Sequence, residues 1–509
     1  MSLKQRTYNF FGIPLLKLEE KYQDPKVEKS AKSQSDDNTL RLAFYNGGGL
    51  GDSIIDVAFI QNLRKIMPPS RIVDYYAKAG KTFEKCPFLN NIYTDYKKLD
   101  RTKYDVILGN HRFWIVNQIK EDKVKRLAPK LYEFCMNQLD LRNNILRNTN
   151  DNNNLYGQYA LLFGKNRWEQ LDLKEITGFN RHSPFYMPLS PEYFSILKRY
   201  NLETKQYVTI NRGVDSCFDE NCPKLWPLDH YKKFVRLLKE KYPHLTIVQI
   251  GANTKFGKID ADINLLGKTD IEETKILLKY ALIHIDVEGG LVHLNHILHG
   301  KSCVIFGPTE KYDFAYEENI NIKSNGCPHS CHWITPDWQK KCLRGFSPAP
   351  CMSETTPEIV LSAVSDYIDK PRGSFRVETI GKYTPKADRI YCMGEKENKL
   401  VKCLTSDKIV VFWQENPDSK KYDFLTDAKI EYGYGNLYNM PSNDGAFSEI
   451  IWVPETGNFH HMMTFLEMLR ILKSGGRIIF ESTNLNEDVR NFLNIKKSKS
   501  NQLITIIKE

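Results

Sequence analysis

Short apolar runs alternate along most of this chain with stretches whose apolar residues recur at helical spacing, and that alternation sets the expected architecture. Leu42-Ala43-Phe44-Tyr45 reads as a strand, residues 46–51 as a glycine-rich turn, and Ile55, Phe59, Leu63 and Ile66 fall on one face of a helix. Further strand-like runs lie around 71–73 and at 104–108. The same grammar restarts near residue 205, where strands at 207–210, 245–250, 283–287 and 303–306 alternate with helices at about 228–241, 272–281 and 291–298. That order predicts a parallel sheet with helices on both faces. A third alternating region begins at about 385, with strands at 389–391, 408–412, 449–452 and 477–480 and a helix over 463–472.

The fold class is therefore α/β, in several units. An N-terminal arm and linker covers 1–38, its end (30–38) polar and without an apolar face. Two Rossmann-like lobes follow at 39–190 and 191–372, then a smaller α/β unit at 385–509, and an asparagine-rich exposed loop interrupts the first lobe at 148–154. A chain of 509 residues exceeds what one core usually serves, and 41% hydrophobic with 26% charged residues is the composition of a folded protein. The formal charge of +10 favours anionic partners without choosing among nucleotide phosphates, phosphorylated glycolipids, nucleic acid and acidic membranes. The apolar stretch at 10–16 is broken by Gly12 and Pro14 and followed by Lys17, Glu19 and Glu20, so it reads as neither a membrane span nor a signal peptide. The expected location is the cytoplasm, with at most peripheral membrane contact. Of the eleven cysteines, seven are scattered singly, as reduced core thiols would be, and four are clustered.

Chemistry concentrates where strands give way to helices. In Gly47-Gly48-Gly49-Leu50-Gly51-Asp52, glycines allow close backbone approach to a ligand, and the following helix N-terminus favours anions. Its spacing is neither a dinucleotide fingerprint nor a Walker loop, and on spacing alone it could equally be a tight turn with Asp52 as the helix cap.

This glycine-rich turn, followed by Gly-Asp and an apolar helix, resembles the start of the heptosyltransferases, glycosyltransferases of the two-lobed GT-B kind. The resemblance covers roughly residues 40–370 and makes Asp52 the general base toward an acceptor hydroxyl, with Gly49 and Gly51 beside the donor. An aspartate with an ordinary pKa of about 3.9 is a weak base unless burial raises it. Lys224-Leu225-Trp226-Pro227 resembles the family's Lys-x-Trp-Pro element, which implies that Lys224 contacts the donor diphosphate, with Arg212 in the preceding loop. Asp286-Val287-Glu288-Gly289-Gly290-Leu291-Val292-His293 resembles the family's Asp-Ser/Thr-Gly-x-x-His segment and implies donor-binding roles for Glu288, Gly289, Gly290 and His293. Glu288 and Gly289 depart from that pattern and are closer to the autotransporter heptosyltransferases, which attach heptose to protein. Gly251 and Thr309, each after a strand, complete the implied donor set.

Cys327, Cys331, Cys342 and Cys351 lie in one loop with His329, His332 and Trp333. Four thiolates satisfy a tetrahedral site for zinc or iron, closed and therefore structural, and a reducing compartment makes two disulfides the poorer explanation. The autotransporter heptosyltransferases are similar here too, with an iron-binding finger followed by a segment like Thr356-Pro357-Glu358.

Residues 443–477 resemble the later half of class I S-adenosylmethionine-dependent methyltransferases, but Cys392-Met393-Gly394-Glu395-Lys396-Glu397 lacks the glycine-rich loop that cofactor needs. The expectation is a degenerate domain serving assembly or acceptor recognition. The alternative is an active methyltransferase whose other lobes only bind substrate. The combined implication is transfer of heptose from ADP-heptose to a hydroxyl of a protein, capsule or lipo-oligosaccharide. It involves no catalytic divalent cation and no nucleic acid, and leaves a homo-oligomer open.

Overall fold

A computed structural model of the chain describes residues 6–10, 13–18, 37–110, 112–148, 157, 160–213, 222–252, 258–327, 330–335, 337–370, 374–393, 399–414, 428–454, 460–482, 485–495 and 502–509. The asparagine-rich loop at 149–154 and the Gly394–Glu397 part of the methyltransferase-like loop lie outside the described residues. Within the N-terminal arm, Arg6–Phe10 and Ile13–Leu18 pair as an antiparallel hairpin that the hydrophobic pattern does not foresee.

The first lobe is a five-stranded sheet. Its strands are β1 (Leu40–Asn46), β2 (Arg71–Ala77), β3 (Asn91–Tyr93), β4 (Val106–Asn110) and β5 (Trp114–Ile119), in the order β3-β2-β1-β4-β5. All pairings are parallel except β5 on β4. Helix α1 (Leu50–Leu63) follows β1. The second lobe has β6 (Tyr207–Asn211), β7 (Thr246–Ile250), β8 (Ile263–Asn264), β9 (Ile283–Val287), β10 (Ser302–Phe306) and β11 (Ile320–Lys323). They run in the order β8-β7-β6-β9-β10-β11, all parallel, the doubly wound order of a Rossmann fold. Strands β6, β9 and β10 are buried along their whole length, including the polar Thr209, His284 and Asp286.

Helices α2 (Leu228–Lys241), α3 (Ile271–Tyr280), α4 (Gly290–Ile297) and α5 (Pro357–Ile368) cover that sheet. Local signals fix several boundaries. Asp270 and Glu273 form a reciprocal capping box at α3, and at α5 Thr356 caps the helix with Pro357 in its first turn. Together the two lobes make the GT-B arrangement, because the carboxyl ends of both sheets open into one cleft.

The third sheet contains β12 (Phe375–Ile380), β13 (Arg389–Met393), β14 (Ile409–Gln414), β15 (Lys429–Tyr434), β16 (Phe447–Trp452), β17 (Leu472–Glu481) and β18 (Leu503–Lys508), in the order β12-β18-β17-β16-β13-β14-β15. Helix α6 (His461–Ile471) packs on it and carries Glu467, whose carboxylate meets Lys279 of α3 at 2.8 Å in a buried ion pair. Asn439 Oδ1 accepts a hydrogen bond from Lys279, and its Nδ2 donates to the Met187 and Ile297 carbonyls. The third unit is thereby fastened to both lobes. Among the described residues no helix is long and apolar enough to cross a membrane.

Candidate active site

Strand order places the cleft. In each lobe the connections after neighbouring central strands leave in opposite directions, between β1 and β4 in the first and between β6 and β9 in the second, and the crevice at such a point takes ligands. The two crevices face each other and form one cavity of about 630 Å³. The first lobe lines it with Gly47 to Asp52, Lys78, Arg112 and Arg167; the second with Asn211, Lys224, Gly251, Glu288, Gly289, Gly290, His293 and Thr309.

Two helix N-termini converge there. Gly49 caps α1 and Gly289 caps α4, neither with a side-chain hydrogen bond, so their first N–H groups remain open to an anion. Helix α1 begins at Leu50, so Asp52 sits in its first turn and is not its cap. Glycine is needed where the lobes touch. A Cβ on Gly51 would stand 2.7 Å from His293 Cδ2, and one on Gly290 would stand 2.9 Å from Leu50 Cβ.

Asp52 accepts a hydrogen bond from Arg167 Nη2 at 2.9 Å, and its side chain is 45% exposed while that of Arg167 is 2% exposed. Burial alone would push the Asp52 carboxyl up. The Arg167 charge and hydrogen bond outweigh it, helped by Arg112 and His293, and hold Asp52 below the ordinary carboxylate value. It is therefore ionised at neutral pH and is no stronger a base than a free aspartate.

One helical turn on, Asp56 has the opposite character. It is fully buried and accepts hydrogen bonds from Asn46 Nδ2 at 2.5 Å, from Tyr75 Oη at 3.4 Å and from Asn110. Burial pushes its carboxyl up to about 7, in spite of Arg167 and those amides. Asn46 in turn accepts the Gly48 N–H at 2.5 Å, so Asp56 holds the glycine loop in place from below.

On the facing lobe, Lys224 Nζ lies 2.8 Å from Glu288 Oε2, with side chains only 10% and 9% exposed. Burial opposes ionisation of Glu288, but Lys224 and His293 prevail and hold it far below the ordinary value. Tyr316 accepts a hydrogen bond from Trp168 Nε1 at 3.2 Å, which leaves its own proton for His293 Nδ1 at 2.5 Å. His293 Nε2 lies 3.7 Å from Glu288 Oε1. Thr309 Oγ1 is buried in the cleft wall without a hydrogen-bond partner among the described residues. Gly251 (φ +130) leaves room for Asn211, which donates to Asp286. Arg212, expected at the donor, is buried just behind Asn211 and is not among the residues lining the cleft.

The sequence marks Trp333 only as part of the four-cysteine loop and does not single out Arg167, Arg112, Asp56, Lys78 or Trp338; all of these but Asp56 line the cavity. Trp333, Trp338 and Gln339 reach it from the four-cysteine loop. In that loop Cys327 and Cys351 are buried and Cys331 and Cys342 half-buried. Burial, then the proximity of Cys327, Cys331 and Cys342, pushes the Cys351 thiol up to about 12. Among the described residues no group of three or more His, Cys, Asp or Glu has the geometry to hold a metal ion. His329 lies outside the described residues. Cys222, expected to be a reduced core thiol, is disulfide-bonded.

The sequence profile of glycosyltransferase family 9 (heptosyltransferase) matches residues 169–342. No curated protein matches the chain. Three solved structures similar to it are a family 9 glycosyl transferase from Veillonella parvula, the E. coli ADP-heptose lps heptosyltransferase II, and the dodecameric iron-containing heptosyltransferase TibC in complex with ADP-D-β-D-heptose. The first is 14% identical (TM-score 0.42), covering 66% of this chain and 99% of its own. The second is 13% identical (TM-score 0.40), covering 65% and 98%. The third is 12% identical (TM-score 0.39), covering 70% and 82%. The stretch from Glu169 to Cys342, which holds every second-lobe residue of the cleft, is what matches the glycosyltransferase family 9 (heptosyltransferase) model.

Proposed function

We propose that the chain transfers heptose from ADP-heptose to a hydroxyl group of a protein or glycan acceptor by direct displacement. The observation that carries this reading is the single cleft in which an exposed, ionised Asp52 from one lobe faces the Lys224, Glu288 and His293 set and two open helix N-termini. The acceptor oxygen bonds to the anomeric carbon as the bond from that carbon to the diphosphate breaks. The electron pair leaves with ADP, and the hydroxyl proton passes to Asp52.

Because Asp52 is a weak base, it takes that proton late, and most of the rate comes from positioning and from stabilising the leaving diphosphate. Lys224 and the N–H groups at the starts of α1 and α4 supply that stabilisation, without a divalent cation. Glu288 holds Lys224 in place at the cost of part of its charge. Cys327, Cys331, Cys342 and Cys351 would hold one iron or zinc ion, whose contribution is to clasp the loop. The third unit serves assembly or acceptor recognition.

The test is a screen of nucleotide sugars for protection against thermal unfolding, since a ligand at a hundred times its Kd adds about 2.7 kcal/mol. ADP-heptose should raise the unfolding midpoint more than UDP- or GDP-sugars do. Equal protection by all, or by none, would remove the assignment. Elemental analysis of purified protein should find about one iron or zinc per chain.

A further inference from the structure

The four-cysteine loop does more than fold on itself, because its residues enter a network that ends at Asp52. Trp333 stacks on Arg112, whose guanidinium carbon lies 4.1 Å from the ring centroid. These side chains come from different lobes, since Arg112 follows β4 and Trp333 follows Cys331. Both have backbone in the left-handed region, at φ 81 and φ 63, where bulky residues are strained and where strain collects at functional sites.

Next to Trp333, the buried His332 Nε2 lies 3.4 Å from Asp313 Oδ2, the same oxygen that Arg112 Nη1 approaches at 3.9 Å. Asp313 also accepts hydrogen bonds from Gln170 Nε2 at 3.0 Å and, through its carbonyl, from the Arg167 backbone at 3.1 Å. The Arg112 carbonyl accepts from Arg167 Nη1 at 3.2 Å, while Nη2 of the same guanidinium holds Asp52. Contact is thus continuous from the cysteine loop to the carboxylate. Trp338 of the same loop lies 5.5 Å from Trp333 and stands over Lys224 Nζ, 5.8 Å from its ring centroid.

We propose that Arg112 and Trp333 form a clamp joining the lobes over the cleft and, through Arg167, set the position of Asp52. The cysteine loop is then a positioning element of the reaction. This rests on the sugar-transfer reading for its kinetic consequence, but not for the contact itself.

The experiment uses full-length protein and three variants, Trp333→Ala, Trp333→Phe and Arg112→Ala, with the double variant. Release of ADP from ADP-D-β-D-heptose should fall about tenfold in kcat for Trp333→Ala with KM within about twofold, because the loss is of alignment and not of donor contacts. Trp333→Phe, which keeps an aromatic face for the guanidinium, should recover most of that rate. Iron and zinc content should stay at the wild-type level in both. A Trp333→Ala enzyme with unchanged kcat, or one whose loss lies in KM, overturns the proposal.

Thermal midpoints give a reading that needs no turnover. If the clamp exists, Trp333→Ala and Arg112→Ala together lower the midpoint less than the sum of their separate effects. Additive effects overturn it. A wild-type protein that released no ADP would remove the assigned reaction, and the midpoints would still decide whether the clamp joins the lobes.

Discussion

The two halves of the cleft are built from the same local pieces and reach opposite electrostatic ends. In each, a central strand runs into glycines and a helix, β1 into Gly47 to Gly51 and α1, β9 into Gly289 and α4. In each, a carboxylate beside the glycines pairs with a cation, Asp52 with Arg167 and Glu288 with Lys224. The pairs differ in which partner is sealed. Arg167 is buried and Asp52 is left 45% exposed, whereas both Lys224 and Glu288 are about 10% exposed or less. The first half presents an exposed charge to the cleft. The second holds a closed ion pair in the cleft wall.

That contrast can be broken by removing one partner at a time. The largest effect is expected from Lys224→Ala, which leaves Glu288 charged and buried and, on the proposed reading, strips the leaving group of its cation. ADP release should fall by about 10²–10³ and stability by about 3–5 kcal/mol, read from kinetics and from thermal or denaturant unfolding. Asp52→Asn removes a half-exposed charge but keeps an amide oxygen for the buried Arg167, so it should cost less stability than Lys224→Ala while lowering turnover about 10²-fold. If both variants lost stability alike, the claimed difference between the halves would be wrong.

A smaller effect tests the contact between them. Gly51→Ala places a methyl group against His293 and should lower kcat about tenfold by parting the lobes. Gly47, whose Cβ would come no closer than 4.0 Å to Tyr96, should tolerate alanine with less than a twofold change, which steady-state kinetics would show.

The effect of Asp56 is read in stability and not in turnover. Its folded pKa of about 7 lies above the ordinary aspartate value, so between about pH 4 and 7 the folded chain holds a proton that the unfolded chain has released. Asp56 therefore makes stability fall as pH rises through that window and adds no further slope above it. Asp56→Asn, which cannot ionise, should flatten this part of a stability profile measured by denaturant unfolding at several pH values.

How much of this was legible in the sequence follows the range of each interaction. Helix α2 starts and ends where its apolar spacing predicts, and the Glu288 to His293 segment lies between strand and helix as its pattern requires, because those signals are local. Asp52, Lys224, Glu288 and His293 were all readable as cleft residues from motifs with fixed spacing. Arg167 was not, since nothing in Lys165-Asn166-Arg167-Trp168 records that the chain returns 115 residues later to meet Asp52. Asp56 carries no motif, and only the fold shows Asn46, Tyr75 and Asn110 closing around it. Arg212 follows the end of β6 and is buried, and it is Asn211 that lines the cleft. Strand β12 preceded the expected start of the third unit, and its partner β18 lies more than a hundred residues away.

The most direct test of a shared cleft is a crystal structure of the protein soaked with ADP-D-β-D-heptose. The diphosphate should lie against Lys224 and the start of α4, the nucleotide toward Gly251 and Asp270, and the anomeric carbon should face the Asp52 carboxylate across a gap wide enough for one hydroxyl. A donor bound on the third sheet, or one seated in the cleft with its sugar turned away from Asp52, would contradict the account.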